Sequence, residues 1–160
     1  SARRVIDKIG RDVHFVLVGH MVDPSNRKLV SEIAKLGIAT NVHLLGVRSD
    51  LRYINQGLDI ATCSSIGEGF PNTLIEALAS GKLCVSTDVG DARTIIGRFG
   101  LVVPPASLDE FANAIIRLLQ MTATERSTLG KEAQERAQSE FGIADIAQRY
   151  EKLYRDTASR

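Results

Sequence analysis

Asp59-Ile60-Ala61-Thr62-Cys63-Ser64-Ser65-Ile66-Gly67-Glu68-Gly69-Phe70-Pro71-Asn72-Thr73-Leu74-Ile75-Glu76-Ala77-Leu78-Ala79-Ser80-Gly81 changes its period part-way along. Residues 59–63 form a short run of the kind a buried strand shows, and it ends at Ser64 and Ser65. The chain then turns on Gly67 and Gly69. Pro71 stands where a helix opens, because its fixed φ suits the first turn and its missing N–H would have no partner there. Gly81 stands where that helix closes. The stretch therefore predicts a strand, a glycine turn and a helix over about 71–80.

The same alternation extends outward in both directions. Nearly continuous apolar runs recur at 13–18, 42–45, 83–86 and 101–103. Such runs belong to strands covered by helices on both faces, the habit of parallel sheets. Between them Leu29, Val30, Ile33 and Ala34 form a helical stripe, with Asp23-Pro24-Ser25 as its start signal and Gly37 as its stop. Ser49 is placed to cap a short helix that ends at Gly57. After the last strand, Ser107 with Glu110 and Thr122 with Glu125 have the spacing of capping boxes. A terminal helix follows, with Ile143, Ile146, Ala147, Tyr150, Leu153 and Tyr154 on one face. Strand–helix alternation with short connections makes residues 1–160 a single α/β domain with a doubly wound parallel sheet. Ligands of such sheets bind beyond the carboxyl ends of the strands, so the loops after Val18, Leu45, Cys63, Ser86 and Val103 are where function belongs.

Composition narrows the classes. The 160 residues carry 24% charged side chains and a net charge of +1, which argues against disorder and against a nucleic-acid footprint. No apolar run reaches the length of a membrane span. Two cysteines cannot build a disulfide framework, so a reducing, cytoplasmic setting is expected. Cys63 and Cys84 read as small buried hydrophobes in neighbouring strands. His14 and His43 lie within apolar runs and read as packed or hydrogen-bonded, whereas His20 falls at a strand's carboxyl end. No zinc spacing occurs, and no metal is expected.

The turn at 64–76 carries the chemistry. Free N–H groups of Asn72, Thr73 and Leu74 at the start of a helix, backed by its dipole, make an anion site, and Gly67 and Gly69 permit close approach of a phosphate. Glu68 in the turn and Glu76 one turn into the helix flank that site. A carboxylate is a poor phosphate ligand but a good acceptor for paired sugar hydroxyls. The arrangement fits a ligand with a phosphate centre and a sugar at each end.

Glu68 and Glu76 are separated by seven residues, and this spacing resembles the Glu-x7-Glu motif of retaining glycosyltransferases of family four. The likeness continues through Ala77-Leu78-Ala79-Ser80-Gly81, Ser86-Thr87-Asp88-Val89-Gly90-Asp91 and Gly100-Leu101-Val102-Val103-Pro104-Pro105. It also takes in Phe15-Val16-Leu17-Val18-Gly19 and Val42-His43-Leu44-Leu45-Gly46. It implies the Rossmann-like C-terminal, donor-binding half of a GT-B enzyme. By that resemblance Glu68 is the catalytic residue that meets hydroxyls of the transferred sugar, and Glu76 holds the ribose. Gly67, Gly69, Phe70, Pro71, Asn72, Thr73 and Leu74 surround the sugar and diphosphate, while Val47 and Arg48 lie where the base is read. The donor is a UDP-, GDP- or ADP-sugar, with no metal or other cofactor. Membrane contact is expected only through a parent enzyme, at the inner face.

Two other functions use parts of the same stretch. A dinucleotide-binding domain of an oxidoreductase would use Gly67 and Gly69, with Asp88 about 20 residues on, but Asn72 stands where its third glycine belongs. A glycosidase would use the two glutamates as an acid–base pair, without a sugar-lined cleft to support them.

The chain opens at Ser1 on what reads as the end of a helix. Set against the family, this predicts a domain without its first, central strand, leaving two inner strands that lack their common neighbour. The family's diphosphate-binding basic pair is not matched, since Arg3 and Arg4 fall in the following helix. An N-terminal acceptor domain is the expected partner, with strand or helix exchange from another chain as a second means of completing the sheet. Tyr150 and Tyr154 are expected on a surface facing that absent domain.

Overall fold

A computed structural model describes residues 1–158. Among the described residues there are five strands: β1 (Phe15–Leu17), β2 (Val42–Leu44), β3 (Ile60–Cys63), β4 (Leu83–Thr87) and β5 (Gly100–Val103). Helices α1 (Ala2–Ile9), α2 (Arg27–Lys35), α3 (Leu51–Gly57), α4 (Asn72–Ala79) and α5 (Ala92–Ile96) alternate with them. Three helices, α6 (Leu108–Leu119), α7 (Ala123–Phe141) and α8 (Ile143–Ala158), complete the order.

Every strand pairing is parallel, but the strands form two sheets. β1 pairs with β2, Phe15 opposite Val42, and β4 lies between β3 and β5, with Val85 opposite Thr62 and Leu101. Among the described residues no pairing joins β1 to β3, so each presents an unpaired edge there. The α/β class and the interruption between two inner strands are as the sequence predicts.

The core sits on β3–β4–β5. All five residues of β4 are buried, which requires cover on both faces, and α4, α5, α6 and α7 all pack against this sheet. Leu74 and Leu78 of α4, Ile95 and Ile96 of α5 and Phe111 and Ile115 of α6 are among the side chains that fill it. α7 crosses at the end of α4, where a Cβ on Gly130 would strike the Gly81 carbonyl. Arg136 of α7 donates to the carbonyls of Ile95 (2.8 Å) and Thr94 (2.9 Å), satisfying acceptors at the end of α5, and lies over the Phe99 and Phe141 rings.

One of the two expected capping boxes forms in full. Thr122 and Glu125 make the complete capping box at the start of α7. Ser107 behaves differently: its hydroxyl donates to Glu110 at 2.8 Å and caps no backbone group. α2 starts later than its signal, because Asn26 accepts from the Leu29 N–H while Asp23 accepts from the Ser25 N–H. α5, with five residues, is too short to register as a period.

Candidate functional site

The strand–turn–helix over residues 60–79 forms as its sequence demands. β3 ends at Cys63, the turn carries Glu68, and α4 opens at Asn72 with Pro71 buried immediately before it. Gly67, Glu68, Gly69 and Phe70 are exposed, as are Asn72, Thr73 and Glu76, so both acids and the helix start are open to solvent.

The three backbone donors at the helix start divide. The N–H groups of Asn72 and Thr73 have no hydrogen-bond acceptor among the described residues, as an anion site requires. The Leu74 N–H is used internally, donating to the Pro71 carbonyl at 3.0 Å, and its side chain is buried in the core. Leu74 therefore supports the helix start, and its amide is not one of the free donors the sequence predicts.

Glu68 is held from one side only. The Ser65 hydroxyl donates to its Oε1 at 2.8 Å, and its second oxygen has no partner among the described residues. Ser65 is itself anchored, because the buried Thr87 hydroxyl at the end of β4 donates to its carbonyl at 2.5 Å. Behind the turn, the Asp91 N–H donates to the Gly69 carbonyl at 3.2 Å. Gly90 makes that approach possible: with φ +50° and no Cβ, it lies where any side chain would strike the carbonyls of Gly69 and Glu68. The Phe70 ring meets Phe141 of α7 edge-on, at 6.3 Å between centroids. The Glu76 carboxylate has no partner among the described residues.

The segment beyond β2 has a different character. Gly46 takes φ +65°, donates to the Val22 carbonyl at 2.7 Å and accepts from the Gly19 N–H at 2.9 Å, joining the loops after β1 and β2. Val47 follows and is 75% exposed. Arg48 is engaged by both oxygens of Asp50, at 2.8 and 2.6 Å, which holds the Asp50 carboxyl below its usual range.

The other polar candidates have their own partners. Asp88 accepts from Arg93 at 2.5 Å, so the acid that a dinucleotide site would turn to a ribose is already paired. His14 and His43 hydrogen-bond to each other, Nδ1 to Nε2 at 2.9 Å, and His20 is exposed. Cys63 and Cys84 are both free thiols; burial pushes Cys84 up to about 12. In α1, Arg3 pairs with Asp7 and Arg4 with Asp109 of α6. The supporting roles of Ser65, Thr87, Gly90 and Asp91 are not contained in the motif that names them. Only Ser65, three residues before Glu68, offered a local clue; the others approach from the β4 side and become visible only in the fold.

A family model described as Glycosyl transferases group 1 matches residues 1–121. An exopolysaccharide phosphotransferase of Streptomyces coelicolor is 34% identical over 142 residues, covering 86% of this chain and 15% of that protein. An N,N'-diacetylbacillosaminyl-diphospho-undecaprenol alpha-1,3-N-acetylgalactosaminyltransferase of Campylobacter jejuni is 36% identical over 157 residues, covering 96% of this chain and 39% of that one. HepE of Anabaena, solved with UDP and with UDP-glucose, superposes with TM-scores of 0.84 and 0.82 at 24% identity, over 96% of this chain and 44% of HepE. The chain thus spans less than half the length of each of these proteins.

Proposed function

The chain belongs to the glycosyl transferases of group 1, and on that premise we propose that it is the donor-binding domain of a two-domain, retaining enzyme. Its ligand is a nucleoside diphosphate sugar, with UDP, GDP and ADP as the candidate nucleotides. The observation that carries this reading is the joint exposure of Glu68, the free Asn72 and Thr73 amides and Glu76 on one strand–turn–helix at the carboxyl end of β3.

Each group then has one task. The Asn72 and Thr73 N–H groups, with the α4 dipole behind them, take diphosphate oxygens. Glu76 accepts from the ribose hydroxyls, and Glu68 accepts from hydroxyls of the transferred sugar with the oxygen that Ser65 leaves free. Val47 and Arg48 border the base, with the Val47 backbone as reader and Arg48 steadied by Asp50. Pro71, Phe70 and Leu74 set the turn's geometry; Gly67 and Gly69 let the sugar and phosphate come close. The departing nucleoside diphosphate assists its own loss, and the sugar keeps its anomeric configuration. The reading uses no metal, and the described residues hold no cluster of three or more His, Cys, Asp or Glu placed to bind one.

The acceptor is a glycan, lipid-linked or polysaccharide chain bound by an N-terminal domain, and transfer takes place in the cleft between the two. We place the enzyme in the cytoplasm, peripheral to the inner membrane face when its acceptor is lipid-linked. No helix among the described residues is long and apolar enough to cross a membrane. A thermal-shift panel tests the donor reading: UDP, GDP or ADP should raise the melting temperature more than NAD does. A larger shift with NAD would replace it with the dinucleotide-binding alternative.

A further inference from the structure

Glu68 stands on an exposed loop, and a carboxylate free to rotate there would present its oxygens to a sugar only part of the time. We propose that Ser65 is a positioning residue that aims the Glu68 carboxylate at the transferred sugar, and that Thr87 and the 88–91 loop fix Ser65 and the turn from behind. This rests on the role given to Glu68 above.

The hydroxyl of Ser65 has its directions assigned. It donates to Glu68 Oε1 at 2.8 Å, and the Cys63 sulfur lies 3.6 Å from its oxygen on the strand side. Donation to one carboxylate oxygen fixes the rotamer and leaves the other oxygen as an acceptor for a sugar hydroxyl. The support beneath is rigid. Thr87 is 5% exposed, belongs to the fully buried strand β4, and donates to the Ser65 carbonyl at 2.5 Å. The second support is independent of the first: the Asp91 N–H holds the Gly69 carbonyl, and Gly90 gives the loop room to press on the turn. A binding carboxylate held by a hydroxyl on a strand-anchored backbone is the arrangement that keeps such a group in productive geometry.

The test compares each sugar nucleotide with its parent, so that aiming is separated from folding. Calorimetry at pH 7 with UDP, UDP-glucose, GDP, GDP-mannose, ADP and ADP-glucose gives, for whichever pair binds, the ratio of the two dissociation constants, sugar nucleotide over parent. Ser65→Ala should raise that ratio about fivefold, the effect of one ordinary hydrogen bond, while the parent nucleotide's own constant stays within about twofold. Ser65→Thr, which keeps the hydroxyl, should restore the ratio. If Ser65→Ala does not fold, Thr87→Val removes the anchoring hydroxyl with little change of shape and should raise the ratio in the same direction. An unchanged ratio in the folded variant overturns the proposal. So does an equal weakening of parent and sugar nucleotide, or a Thr variant no better than Ala. Wild-type protein that binds none of the six ligands would instead overturn the donor-binding function, and the role of Ser65 with it.

Discussion

The two sheets start from similar apolar runs and end in different states. In β3–β4–β5, the central strand has neighbours on both edges and helices on both faces, and Val85 and Cys84 are fully buried. In β1–β2, Val16 remains 37% exposed and His43 is exposed, and neither α2 nor α3 contributes a buried residue. An apolar run states what a strand can bury; helical cover on both faces decides what it does bury. The proposed site straddles the same division. Glu68 and Glu76 stand on the dense half, whereas Val47 and Arg48 stand on the sparsely packed one.

The largest expected contrast is chemical. With Cys84 pushed up to about 12, its thiolate fraction at pH 8 is on the order of one in ten thousand. Iodoacetamide followed by mass spectrometry should leave Cys84 unmodified in folded protein and modify it once urea unfolds the chain. Rapid labelling in the folded state would mean that the dense half opens readily.

Core truncation comes next. Leu78→Ala, at a side chain 1% exposed, should cost about 2–5 kcal/mol in urea unfolding, and Val16→Ala less than about 1 kcal/mol. Equal losses would erase the distinction between the halves. Gly90→Ala places a methyl group against the Gly69 and Glu68 carbonyls and should cost roughly 1–3 kcal/mol. It should also weaken sugar-nucleotide binding, which Val16→Ala should leave alone.

Another small effect lies at the start of α7. Thr122→Ala removes an N-cap and should cost about 1 kcal/mol. Backbone and hydroxyl donation from Thr122 hold the Glu125 carboxyl below its usual range. A group lowered in the fold adds stability above the ordinary carboxylate range and loses it as pH falls through the lowered value. Glu125→Gln should therefore flatten the acid limb of the stability profile in that window, and an unchanged limb would remove the box from the account.

What the sequence made legible was local or repeated. The strand–turn–helix, the Thr122 box and the free amides of Asn72 and Thr73 each depend on residues a few positions apart. The interruption between β1 and β3 was legible only against a family pattern, since no residue in either strand announces an unpaired edge. The Leu74 amide departs from the expected free donor because a closed first turn takes the amide while the core takes the leucine side chain. The support behind Glu68 was invisible for a different reason. Thr87 and Asp91 each lie 22 residues in sequence from the group they hold, Ser65 and Gly69, and meet the turn only through the register of β3 on β4.

The central claim is that a nucleoside diphosphate binds at the turn between Glu68 and Glu76. Calorimetry with UDP, GDP and ADP on the wild-type chain and on Glu76→Ala tests it directly. The account predicts that one nucleotide binds the wild type and that Glu76→Ala weakens it about tenfold, through lost hydrogen bonds to the ribose. Equal affinity for wild type and variant would contradict it.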